Sequence, residues 1–381
     1  MKKSIVSILV MVLVLAGCAP SFNESDEEVV DETVDDSEQE TAIIPNYNVS
    51  QEQYRVLVDS KLSQARGVIT NQIANRIDID AMEEGLRRLS KDVYAPSDHY
   101  FQEGQYITED TLYSWLERYD EEDHPKGLNP VIENASNQEQ QRNNPKYLSH
   151  ILEQNYLTRT EDDVVELQGI SLALAMKSVY RFQTETGGPY YYETISKEKM
   201  LSEANNIADE VLQRVRDIEG LENVPVFLTV YREAEQNSLV PGNYVAKASV
   251  SGDETSVNNW ESVNEEHVLF TSGDDNENYP DTSALINELD QDVSDYFPNY
   301  VSVIGKGFYI DNTLQELTIE IPVSFYGKAE LTGFTQYVYG LVKEGFPNSI
   351  HLEVNITSGD QQEALIVRKP GEEDGFVHIY R

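Results

Sequence analysis

Two well-separated stretches of the chain carry one pattern. "VLQRVRDIEGLENVPVFLTVY" (211–231) and "YVYGLVKEGFPNSIHLEVNI" (337–356) each run as a helical periodicity that stops at Glu-Gly, then a short loop containing proline, then an apolar or alternating strand. Gly220 and Gly345 stand where a helix C-terminus favours a left-handed residue, which glycine adopts without a Cβ penalty. The likeness extends in both directions. "GISLALAMKSVYRF" (169–182) precedes the first helix as "LQELTIEIPVSFYG" (314–327) precedes the second, and "NYVAKASV" (243–250) follows the first as "EALIVRKP" (363–370) follows the second. Such a recurrence predicts an α+β fold of two tandem related units, each strand-helix-strand-strand. The competing arrangement is one larger mixed sheet in which the units pack side by side.

The first unit has an extra N-terminal part. "YRVLV" (54–58) reads as a strand, and Asp80 before "AMEEGLRRLS" reads as an N-cap with Glu83 completing a capping box. A second helix is expected from Glu109 through Tyr119 with Thr108 as its cap. The polar, proline-bounded run from 120 to 145 reads as loops.

The chain opens with Lys2 and Lys3 ahead of an apolar run from Ile5 to Ala16, too short to span a bilayer, which takes about 20 residues. Leu15, Ala16 and Gly17 then lead into Cys18, the only cysteine. This fits a bacterial lipobox, in which signal peptidase II reads Leu15, Ala16 and Gly17 and cuts before a cysteine bearing diacylglycerol. Two acyl chains anchor stably where one holds reversibly. Residues 19–50 contain ten Asp and Glu and no Lys or Arg. Mutual repulsion and little apolar surface predict a disordered, extended tether. The expected divisions are a signal peptide (1–17), the lipidated cysteine and tether (18–50), a first unit (51–250) and a second (251–381), with the folded part held at the outer face of the cytoplasmic membrane.

Acidic residues outnumber basic ones 68 to 28, a formal charge of −40. No basic patch interrupts the excess, which argues against nucleic acid, anionic lipid or teichoic acid as direct ligands. Signatures of chemistry are sparse. The six histidines form no HExxH pair, and no cofactor motif is present. His351 and Glu353 share a strand face as a polar pair, and His124 beside Asp123 sits in a loop. In "DDNENYPD" (274–281), Asp274, Asn276 and Asn278 alternate as in a calcium loop, but no glycine takes the sixth place, so an acidic turn is the better reading. There is no GxSxG elbow. No metal or cofactor is expected. "GGPYYYE" (187–193) and "PGNY" (241–244) suggest a ligand groove lined by Tyr190, Tyr191, Tyr192 and Tyr244. Two function classes follow: a non-catalytic surface lipoprotein that binds a cell-wall, peptide or protein ligand, and an envelope-acting enzyme with an unrecognised carboxylate site. An anchor, a spacer and a duplicated module without a catalytic signature favour the first.

Several longer phrases, "NRIDIDAMEEGLRRLS", "YFQEGQYI", "EGLENVPVFLTVY" and "NSLVPGNY", together with the lipobox, resemble the CamS family of sex-pheromone precursor lipoproteins of low-GC Gram-positive bacteria. The resemblance covers essentially the whole chain and implies an internal tandem repeat. It also implies that the last seven residues of the cleaved signal peptide, here "MVLVLAG" (Met11 to Gly17), can be released as a hydrophobic peptide. The family's pheromones begin Ala-Ile-Phe, and only Leu15 and Ala16 fall in register with them. Cys18→Ala should abolish metabolic labelling with palmitate and leave the protein unprocessed or shed; equal labelling of both forms would refute the lipobox.

Overall fold

The computed structural model describes residues 28–32, 40–44, 50, 52–57, 62–66, 68, 75–76, 78–160, 164–273, 276–297, 300–325 and 327–380. Cys18, the lipobox residues and Asp274 lie outside them. The segment read as a structureless tether contains two short strands, β1 (Glu28–Glu32) and β2 (Glu40–Ile44), paired antiparallel. Charge count misses the β-branched Val29, Val30, Thr41, Ile43 and Ile44, which favour strand. The chain continues through β3 (Arg55–Val56), β4 (Asn75–Arg76), α1 (Ile79–Ser90), β5 (Tyr100–Glu103), α2 (Glu109–Leu116), α3 (Gln138–Asn143), β6 (Leu148–Arg159), β7 (Val164–Met176), β8 (Val179–Phe182) and β9 (Tyr191–Thr194). It then forms α4 (Lys197–Arg216), β10 (Val226–Arg232), β11 (Ala234–Glu235), β12 (Asn243–Val250) and β13 (Glu261–Ser262).

The first sheet has the order β13-β12-β10-β7-β6-β5-β3. Its central pair, β7 and β10, is parallel, so α4 must cross over one face to connect them. Ser196 caps α4 by accepting from the Lys199 N–H. Ala204, Ile207, Ala208, Val211, Leu212 and Val215 then fall at helical spacing and are buried against the sheet. Each fully buried Leu, Val or Ile among them contributes about 1.5–3 kcal/mol. The Ile170–Met176 run of β7 is buried on both sides because α2 and α4 pack on one face and α1 on the other. Glu153 of β6 fixes the entry to α2 by accepting from the N–H groups of Gln105, Tyr106 and Ile107. Gly104 is required there, since a Cβ would stand 2.6 Å from that of Glu153.

A second sheet follows, separate from the first: β14 (Glu265–Thr271), β15 (Ile304–Ile310), β16 (Thr313–Pro322), β17 (His351–Ser358), β18 (Gln361–Arg368) and β19 (Phe376–Ile379), hydrogen-bonded in that order. Helices α5 (Pro280–Tyr296) and α6 (Lys328–Gly345) cover one face. β16 and β17 are parallel, joined by α6. Strand for strand and direction for direction, β5-β6-β7-β10-β12-β13 matches β14-β15-β16-β17-β18-β19. In β16, Leu317, Ile319 and Ile321 are buried while Thr318 and Glu320 turn to the uncovered face, the alternation of a sheet packed on one side.

Several boundaries differ from the sequence reading. Asp78, not Asp80, caps α1 by accepting from the Ala81 N–H, while Asp80 and Glu83 both pair with Arg66. Thr108 caps α2 as expected, but the helix stops at Leu116, where Glu117 turns extended. α3 lies inside the stretch read as loops, started by the Asn137 cap. Gly220 is left-handed at φ 86°. Gly345 stays helical, because Pro347 forces the preceding Phe346 into extended backbone (φ −100°, ψ 141°) and ends the helix there. Residues 251–262, read as the start of the second unit, join the first: β13 pairs with β12, Arg216 donates to Ser251 O and Glu254 O, and the Trp260 indole donates to Asn205.

The two sheets are clamped through α1. Arg88 pairs with the buried Glu265 at 2.8 Å and lies over the Phe308 ring, while the His267 backbone N–H and ring Nδ1 both meet Asn243 Oδ1. Burial and the Arg88 charge depress the His267 pKa to about 4, so the ring is neutral at pH 7. Arg88→Ala strands the Glu265 carboxylate and should cost about 3 kcal/mol in urea unfolding. Adding Glu265→Leu should recover most of it; no recovery would mean that Arg88 acts through packing alone.

Candidate functional site

In open sheets with parallel strands, ligands bind outside the carboxyl ends of those strands. Here that edge gathers chemistry. Lys177 directly follows β7 and Glu233 directly follows β10, and both are almost fully buried. Ser149 is the extra residue of a β-bulge opposite Met176 and Ala175, and its hydroxyl donates to Glu233 Oε1. Burial pushes the Glu233 carboxyl up, opposed by the Lys177 charge and the Ser149 hydrogen bond; burial likewise pushes the Lys177 ammonium down, opposed by Glu233. His150, 1% exposed, has no hydrogen-bond partner on either ring nitrogen among the described residues, and burial lowers its pKa to about 4. Asn75 of β4 closes the edge by accepting from the N–H groups of Ser178 and Val179 and donating to Val179 O. The cluster is therefore enclosed.

On the opposite face of the same sheet, toward the edge strand, lies an open cavity of about 200 Å³. Val230, Val245 and Ala246 form its floor, Leu201 of α4 and Trp260 its walls, and Glu261 and Ser262 its rim. The Trp260 ring is fixed by its 2.9 Å hydrogen bond to Asn205. The volume falls below the roughly 300–1,000 Å³ of typical small-molecule sites. It suits one or two apolar side chains of a larger ligand. Among the described residues no group of three or more His, Cys, Asp or Glu is placed to hold a metal ion.

The four tyrosines do not form one groove. Tyr190 and Tyr192 are about half exposed on the β8–β9 hairpin, with the Arg181 guanidinium 4.3 Å from the Tyr190 ring. Tyr191, one residue out of phase, turns inward against Phe182. Tyr244 is 1% exposed and donates to Met82 O under α1. Glycine and proline mark turns in sequence, but the side of the sheet that each ring faces depends on register. His351 and Glu353 do share a strand face, with Glu353 accepting from Asn355. Asn276 accepts from the N–H groups of Asn278 and Tyr279, a local turn ahead of α5. Lys177, Glu233, Ser149 and His150 escaped the sequence reading. The signal was present in "LALAMKS" and "LTVYREAE", where a charge directly ends an apolar strand.

Fold and site together define an α+β protein with two large sheets, a parallel crossover in each, and an apolar pocket at the edge of the first. The family model for the CamS sex pheromone cAM373 precursor matches residues 61–374, and the chain belongs to that family. It is similar to the crystal structure of a sex pheromone precursor from Lactobacillus salivarius subsp. salivarius UCC118, at 30% identity and a TM-score of 0.80, covering 88% of this chain and 98% of that one. It also resembles the C-terminal domain of the sex pheromone staph-cAM373 precursor from Staphylococcus aureus, at 27% identity and a TM-score of 0.67, covering 81% of this chain and 98% of that one. No curated protein sequence matches it. No helix among the described residues is long and apolar enough to cross a membrane.

The neutral, buried His150 makes stability depend on acid. Its folded pKa of about 4 lies below the ordinary 6.5, so the unfolded chain takes up the proton first as pH falls. Its contribution is full above pH 6.5 and lost by pH 4, about 3 kcal/mol across that window. His267, depressed to the same value, adds a like dependence, so His150→Leu should remove about half of the slope of the urea midpoint over this range; an unchanged slope would place the acid sensitivity elsewhere.

Proposed function

We propose that this chain is a lipid-anchored surface protein at the outer face of the cytoplasmic membrane, with a folded part that is a non-catalytic binding module. The Leu15-Ala16-Gly17-Cys18 sequence supports the anchor. The family's description as a pheromone precursor supports the cleaved leader, Met11 to Gly17, as the source of a hydrophobic heptapeptide. The matched strand orders of the two sheets support a tandem duplication, each unit built around a parallel crossover. The acidic stretch 19–50 has β1 paired with β7, so the part ahead of it, residues 19–27, is left to act as a spacer between lipid and module.

The observation that carries the binding reading is the apolar pocket walled by Leu201 and Trp260. Its size and open side suit a side chain presented by a peptide or protein rather than a cofactor. The buried Glu233 and Lys177, on the opposite face of the sheet, oppose one another and are enclosed, while Glu261 stands exposed at the pocket's rim. Trp260 is a reporter in place. Titrating the full chain with a short leucine- and valine-rich peptide should shift its fluorescence, and Trp260→Phe should remove the signal. Ser262→Trp, a change at the exposed rim, should weaken binding about tenfold, a loss of about 1.4 kcal/mol. Unaltered affinity in that variant would take the pocket out of the binding site.

A further inference from the structure

The helical layer of the second sheet contains a groove between α5 and α6. Leu285 and Leu289 of α5 and Leu341 of α6 form its apolar floor, and Glu288, Asp292 and Glu344 rim it, around a cavity of about 220 Å³. Among the described residues no Lys or Arg lines it. α6 ends beside it at Gly345, so the negative end of that helix adds to the three carboxylates. The neighbouring cations are engaged elsewhere. Lys343 pairs with Asp374, and Arg368, beneath the groove, donates to Phe346 O and Pro347 O.

The first sheet shows what completes such a place. Ala204, Ile207, Ala208, Val211 and Val215 of α4 have the same spacing and burial as Leu331, Phe334, Thr335, Val338 and Val342 of α6. That alignment sets Leu341 where Arg214 stands. Arg214 lies 5.6 Å from the Trp115 ring of α2 and donates to Lys126 O at 2.6 Å. It can do so because residues 117–147, which join α2 to β6, fold back over α4. The connection from α5 to β15 is shorter, residues 297–303, and its Phe297 packs on Phe334 and Tyr337 of α6, a turn before Leu341.

We propose that the groove between α5 and α6 docks a basic peptide segment of a partner protein. A Lys or Arg side chain would sit among Glu288, Asp292 and Glu344, with a neighbouring apolar side chain on Leu289 and Leu341. This site is independent of the pocket beside Trp260. It supplies from outside the cation that the first unit carries as Arg214.

The test is calorimetric titration of the full chain with a short synthetic peptide of alternating leucine and lysine, at about 150 mM salt so that distant charges are screened. A leucine-glutamate peptide of equal length is the control ligand and should not bind. Leu341→Arg, which installs the first unit's own residue at a half-buried position, should weaken binding at least about tenfold without lowering the thermal midpoint. The triple change Glu288→Gln, Asp292→Asn and Glu344→Gln should do the same. Glu121→Gln, Glu133→Gln and Glu219→Gln, which remove as much charge from the first unit, should have little effect. Retained affinity in the groove triple, or an equal loss in the control triple, overturns the proposal. If Leu341→Arg fails to fold, the two triples decide alone.

Discussion

Parallel pairing of two adjacent strands is the constraint from which the rest of this molecule follows. Parallel neighbours cannot be joined by a tight turn, so β7 and β10, like β16 and β17, each require a helix that crosses one face of the sheet. That crossover commits α4 and α6 to an apolar stripe and brings the carboxyl ends of both parallel strands to one edge. The enclosed Lys177 and Glu233 follow from this directly, since each is the first residue past its strand.

The two sheets solve the same connection with different coverage. In the first, α1 packs Met82, Leu86 and Leu89 on the face opposite α4, so β7 is apolar on both sides and buries polar groups as well. Those groups are tolerable where they are paired, as Glu153 is by three backbone N–H groups and Asn75 by the turn after β7. In the second, one face remains uncovered and the strands alternate. Arg88 links the two arrangements: it leaves α1 to meet Glu265 and Phe308, so the helix that completes the first sheet also fastens the second.

Much of this was legible along the chain. The continuous run of Ile170–Met176 against the alternation of Leu317, Ile319 and Ile321 distinguishes a sheet covered on both faces from one covered on a single face. The recurrence at Glu-Gly located both crossover helices, and Thr108 marked a helix start because a cap acts on N–H groups within one turn. Misreadings arose where two local signals competed. The helix begins two residues earlier than Asp80 suggests: Asp78 accepts from the Ala81 and Met82 N–H groups, and Asp80, already inside the helix, pairs with Arg66. Pro347 overrode Gly345 by acting on the residue between them.

By itself the sequence determined the acidic balance, the helix-strand recurrence around Glu-Gly and the α+β class, because each depends on composition or on spacing within a few residues. Tertiary structure decided which side chains meet. Tyr190, Tyr191 and Tyr192 are consecutive yet face different sides, and Tyr244 lies beneath α1 rather than with them. Ser149, Lys177 and Glu233 are scattered in sequence and joined in space by the order β6-β7-β10. The reason is physical: side-chain direction alternates along a strand, and proximity across strands is set by long-range pairing that no local pattern encodes.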